Sequence, residues 1–74
     1  PESKLLTKEI ETMLLRAIDR LPDELRVAIT LREMEGMSYE EISEIMSCPV
    51  GTVRSRIFRA REAIDAVIAP LIHN

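Results

Sequence analysis

Apolar residues recur at three-and-four spacing along nearly the whole chain, and the residues that interrupt the pattern are those that stop and start helices. With four prolines, only two glycines and few β-branched runs, little material remains for sheet. The pattern predicts an all-α domain of four helices. The first runs from about Thr7 to Arg20, with Ile10, Met13, Leu14, Ala17, Ile18 and Leu21 as one buried stripe. Pro22 breaks it and suits the first position of a second helix, where Asp23 and Glu24 meet the positive end of the dipole. That helix, about Asp23 to Met34, buries Leu25, Ala28, Ile29 and Leu31, and Gly36 is placed to end it in a left-handed conformation. Ser38 followed by Glu41 is a capping box and sets a two-turn third helix from Tyr39 to Met46, with Tyr39, Ile42, Ile45 and Met46 facing inward. The small Ser43 lies beside that face, where another helix can approach. Ser47 and Cys48 make a turn, and Pro49 opens a longer fourth helix that Pro70 is expected to end or fray. Its inner stripe is Val53, Ile57, Ala60, Ile64, Val67, Ile68 and Leu71.

A chain of 74 residues is one small domain. Cys48 is the only cysteine and His73 the only histidine, so no intrachain disulfide and no Cys/His metal cage are expected. Cys48 reads as a small buried apolar residue, and His73, at the end of the chain, carries no argument. The absence of disulfides makes a reducing cytoplasm the expected location. No apolar run approaches the roughly 20 residues of a membrane span, so no membrane insertion is expected. Starting at Pro1 rather than Met points to a fragment of something longer. Glu40, Glu41 and Glu44 share one short exposed helix without a nucleophile, base or metal set. No catalytic residue, cofactor or small-molecule substrate is therefore expected.

The net charge of −3, from 10 basic and 13 acidic residues, argues by itself against a nucleic-acid partner. Its distribution argues the other way. Residues 1–48 hold 6 basic and 11 acidic residues (−5), and residues 49–74 hold 4 basic and 2 acidic (+2). Arg54, Arg56, Arg59 and Arg61 fall within eight consecutive residues with no acid among them. All are arginine, whose planar fork suits phosphate oxygens and guanine edges.

Phase separates these residues. With Val53 at zero, Gly51, Arg54, Ser55, Phe58, Arg59 and Glu62 fall between about 100° and 240°, opposite the buried stripe. A lone aromatic is ordinarily core, but Phe58 points about 140° from the stripe, among Arg54, Ser55 and Arg59. On that face it can meet a thymine methyl or a base edge in a major groove. Gly51, in the first turn, is either a tolerated helix defect or an opening through which backbone N–H groups reach a phosphate, with the Thr52 hydroxyl beside it. Arg32 falls near the middle of the second helix's apolar stripe and must emerge at the helix end, paired with Glu33 or Glu35 or reaching a phosphate. Tyr39 and Glu40 follow, where a phenol can contact backbone and an acid can meet a cytosine amino group. Glu40 equally suits the dipole of its own helix.

A two-turn helix, a short turn and a longer helix with a basic outward face form a helix-turn-helix over about residues 38–68, whose second helix enters the major groove. The segment LPDELRVAITLREMEGMSYEEISEIMSCPVGTVRSRIFRAREAI, residues 21–64, strongly resembles domain 4 of bacterial extracytoplasmic-function (ECF) sigma factors, the sigma-E-like group in particular. Its most specific part is CPVGTVRSRIFRARE, residues 48–62. The resemblance implies promoter −35 element recognition within RNA polymerase holoenzyme, during transcription initiation. It implies recognition-helix contacts from Thr52, Arg54, Ser55, Phe58, Arg59 and Arg61, with further contacts from Arg32, Tyr39 and Glu40. The helical wheel had not selected Arg61, which falls at about 80°, nearer the core edge. The resemblance also implies that the apolar groove of the first two helices grips the flap-tip helix of the polymerase β subunit, and that an anti-sigma factor can occupy the same surfaces. Ser47 stands where the common pattern has a turn glycine and Ser43 where it has alanine. A fragment of this kind, without the domain that melts the −10 region, is expected to bind DNA weakly and in a salt-sensitive way until tethered to the polymerase.

Two other readings fit the residue pattern. Another helix-turn-helix regulator, dimerising on a palindrome, would present a self-complementary apolar patch on its first helix. A helical protein-interaction module would use the basic helix against an acidic partner.

Overall fold

The computed structural model describes residues 2–72, and the side chains of 7–71. His73 lies outside the described residues. The architecture is all-α, with α1 Glu2–Asp19, α2 Asp23–Glu33, α3 Tyr39–Met46 and α4 Val50–Ile72. The 23-residue α4 is the spine: α1, α2 and α3 all pack on it, and α2 also packs on α3. The molecule is elongated, 44 × 20 × 17 Å, because α4 alone spans about 34 Å at 1.5 Å per residue.

The core lies where α2, α3 and the first half of α4 meet. Leu21, Ala28, Ile29, Ile42, Val53, Ile57 and Ala60 are buried there, ringed by half-buried Ile18, Leu25, Leu31, Met37, Tyr39, Met46, Cys48 and Ile64. Ala28 and Ala60, both without exposed surface, bring the backbones of α2 and α4 close together.

Local signals set the joints. The Pro22 carbonyl accepts the N–H groups of Leu25 and Arg26 at 3.0 and 2.9 Å, so Pro22 stands just before α2 rather than at its first helical position. Gly36 takes φ +67° after α2, as its lack of a side chain permits. Both halves of the capping box form: Glu41 N–H donates to Ser38 Oγ at 3.1 Å, and Ser38 N–H donates to Glu41 Oε1 at 2.9 Å. Ser47 closes α3 in the left-handed region at φ 52°, ψ 49°, the conformation a turn glycine would take.

Several expectations are corrected. α1 begins at Glu2 rather than near Thr7, because residues 2–6 contain no proline or glycine to stop it. Ile45 does not face inward: it is 56% exposed, since so short a helix buries only Ile42 fully. Val67 and Leu71 are exposed although they continue the α4 stripe, because α4 outruns α2 and α3 and only α1 flanks its far end. Pro70 sits inside α4 rather than ending it; so near the helix end it removes a single donor and two residues continue beyond it. Cys48 is half-buried, and its sulfur accepts from Arg56 Nη1 at 3.5 Å. Ser43 is half-buried, with its hydroxyl turned onto the Glu40 carbonyl at 2.8 Å.

Candidate nucleic-acid interface

The helix-turn-helix consists of α3, the turn Ser47–Pro49 and α4. Cys48 N–H donates to the Ser43 carbonyl at 3.1 Å, which folds the chain back sharply at the end of α3. The Pro49 carbonyl then accepts Thr52 and Val53 N–H at 3.0 and 3.1 Å, starting α4. This leaves the N–H groups of Val50 and Gly51 without a helical acceptor at the positive end of the dipole. A Cβ at Gly51 would meet nothing within 4 Å, so internal packing does not require glycine there. Thr52 is half-buried beside it.

Burial of Val53, Ile57 and Ala60 fixes the rotation of α4, and rotation decides what faces solvent. Gly51, Arg54, Ser55, Phe58, Arg59 and Glu62 are all exposed, as their phase predicts. Phe58 is 63% exposed, the most exposed of the large apolar side chains in the described residues. The exposed face therefore holds two arginines, a hydroxyl and a phenyl ring within two turns, a set suited to phosphate and base-edge contact.

Beside it, a cluster of cations gathers on Tyr39, whose ring packs against the core. The Arg32 guanidinium lies 4.9 Å from the ring centroid and that of Arg54 lies 5.6 Å from it. Arg32 pairs with neither Glu33 nor Glu35. Its Nη1 donates instead to the Met37 carbonyl at 2.9 Å, because the chain leaving α2 turns back across the helix end. Glu40, next to Tyr39, is exposed in the first turn of α3.

Arg61 goes elsewhere. Its guanidinium turns back to α2 and pairs with Glu33, which raises its already high pKa; burial opposes this, and Tyr39 contributes in the same direction as Glu33. Arg56 also points to α2, 3.6 Å from Glu24. Of the ten site residues read from the sequence, the structure thus presents Gly51, Arg54, Ser55, Phe58 and Arg59 on one exposed face. It gathers Arg32 and Tyr39 against Arg54, leaves Glu40 and Thr52 alongside, and holds Arg61 by an internal partner. The sequence reading missed Glu33 and Glu24 as partners of the basic helix. They lie 28 and 32 residues from Arg61 and Arg56, beyond the reach of helical periodicity.

A second surface lies between α1 and α2. Thr12, Leu15, Arg16, Ile18, Asp19, Arg26, Thr30 and Met34 line a groove there. Leu15 and Met34 are more than half exposed. Among the described residues no group of His, Cys, Asp and Glu could hold a metal ion, and no helix is long and apolar enough to cross a membrane.

The geometry agrees with relationships in sequence. ECF RNA polymerase sigma-E factors of Escherichia coli (strain K12) and Salmonella typhimurium (strain LT2) are each 62% identical to this chain over 72 residues. That of Haemophilus influenzae is 60% identical over the same length. In each case the match covers 97% of this chain and 38% of the relative, so the chain spans well under half the length of these proteins. The family model for sigma-70, region 4 matches residues 11–64, taking in the second half of α1, all of α2 and α3, and α4 through the end of its basic segment. The chain belongs to the sigma-70 region 4 family.

Proposed function

We propose that this chain is domain 4 of an ECF sigma factor and that α4 reads the promoter −35 element in the major groove while the factor is bound to RNA polymerase. The observation that carries this reading is the exposed face of α4, where Arg54, Ser55 and Arg59 stand together with the Phe58 ring in water. An exposed phenyl ring does nothing for folding, and a thymine methyl or base edge gives it an apolar partner. In this reading Arg54 and Arg59 contact phosphate or guanine. The N–H groups around Gly51 and the Thr52 hydroxyl hold a phosphate at the start of α4. Arg32, Tyr39, Glu40 and Arg61 extend the contact along one side.

Residues 1–74 act in this reading as a single domain of a longer factor, without catalytic activity, in the cytoplasm where the polymerase works. The α1–α2 groove, with exposed Leu15 and Met34, suits an amphipathic helix and is assigned to the flap tip of the polymerase β subunit. An anti-sigma factor would compete for either surface. Membership of the sigma family favours this over a dimeric regulator that reads a palindrome.

The test is titration of DNA with the chain over a salt series. Log affinity is expected to fall with log salt at a slope of roughly −2 to −4, and Arg59→Ala to cost about 1–3 kcal/mol. Loss of sequence preference in that variant means a base contact; uniform weakening means a phosphate contact. A flat salt response would overturn the proposal.

A further inference from the structure

The four arginines of α4 are divided by their neighbours. Arg54 stacks on Tyr39, and Arg59 has no protein partner among the described residues. Arg56 and Arg61 are each met by an acid of α2, Glu24 and Glu33. The two ion pairs are not alike. The Arg56 side chain is only 21% exposed and also reaches Cys48, so it belongs to the packing between α2 and α4. Arg61 and Glu33 are 50% and 52% exposed, in water on the same flank as Tyr39.

Glu33 is poorly placed for stability. It is the last residue of α2, where the negative end of the helix dipole disfavours a carboxylate and favours a cation. A half-exposed ion pair is screened and adds little to a fold. What the carboxylate does well is fill one side of the guanidinium fork with oxygen, the geometry a phosphate would use.

We propose that Glu33 is an internal competitor for the DNA backbone. Its carboxylate occupies Arg61 in the unbound domain, and a phosphate gains that guanidinium only by displacing it. This rests on the reading of α4 as the DNA-contacting helix. Because a backbone contact is blind to sequence, the competition lowers affinity for all DNA and leaves base reading by the outward face of α4 intact. Glu33 therefore sets the overall strength of DNA binding and leaves the ratio of specific to non-specific affinity unchanged, and does so without touching DNA.

The experiment uses a short mixed-sequence DNA duplex, titrated with the wild-type chain and its variants over a salt series. Glu33→Gln, which keeps the side-chain shape, is expected to bind about three- to tenfold tighter, with a salt slope steeper by about 0.9, the signature of one more phosphate contact. Glu35→Gln removes a neighbouring exposed acid that has no ion pair among the described residues, and it measures the general effect of one charge. It should give a smaller gain with the wild-type slope. Adding Arg61→Ala to Glu33→Gln should return both affinity and slope to wild-type values. Glu33→Gln binding no tighter than Glu35→Gln, or keeping its gain without Arg61, would overturn the proposal. A wild-type chain that ignores salt would instead remove the DNA reading beneath it.

Discussion

Ser38 decides where α3 begins. Its hydroxyl accepts the Glu41 N–H while the Glu41 carboxylate accepts the Ser38 N–H, and this exchange orients the first turn of the helix that carries Tyr39 and Glu40. Replacing Ser38 with Ala is expected to cost about 1 kcal/mol, read as a lower denaturation midpoint. The Ser38 backbone N–H first, and the Ser38 hydroxyl beside the carboxylate second, hold the Glu41 pKa below its ordinary value. A carboxylate with a depressed folded-state pKa stabilises above its unfolded pKa, and the contribution is lost as pH falls through the folded value. Glu41→Gln should therefore lower stability at neutral pH, flatten the acid limb and converge on the wild type below the folded pKa; an unchanged acid limb would count against the capping account. This box was legible in the sequence because its two residues are three apart. Phe58 was legible for a related reason, since its phase relative to Val53 and Ile57 depends only on the helical repeat. The pairing of Arg61 with Glu33 was not, because nothing local in the sequence indicates which acid of another helix will lie against it.

The turn before α4 departs from the common helix-turn-helix pattern in the identity of one residue while keeping its shape. Ser47 occupies the left-handed region with a Cβ that glycine would not carry. Ser47→Gly should relieve that strain and raise stability by roughly 0.5–1 kcal/mol, measured by denaturant titration, with DNA affinity unchanged. A loss of stability would mean that the serine side chain does more for the turn than its strain costs. Within each element, apolar period and caps predicted the start and end of α3 to the residue, and those of α2 nearly so. They failed where tertiary context rules. The stripe of α4 continues in the sequence to Leu71, but no helix other than α1 flanks that end, so Val67 and Leu71 stay in water. Ile45 lost its place inside because two turns of helix offer room for one fully buried side chain.

For the whole molecule, net charge was a poor guide and charge placement a good one. The acids that make the chain −3 overall lie mostly before residue 49, and among the described residues two of them, Glu24 and Glu33, reach the arginines of α4. The core binds α2 and α3 to the first half of α4, which fixes the rotation of that helix and presents one exposed face with Arg54, Ser55, Phe58 and Arg59. The α1–α2 groove leaves Leu15 and Met34 more than half exposed, and in the proposed reading a protein partner covers them. A domain with both surfaces can join a weak DNA contact to a protein anchor, and the anchor raises the local concentration of DNA enough for a weak contact to select a sequence. The most direct test places a photo-crosslinking side chain at position 58 of the full-length factor, assembled with RNA polymerase on promoter DNA. The account predicts crosslinks to bases of the −35 element. Crosslinks confined to polymerase, or to DNA elsewhere in the promoter, would contradict it.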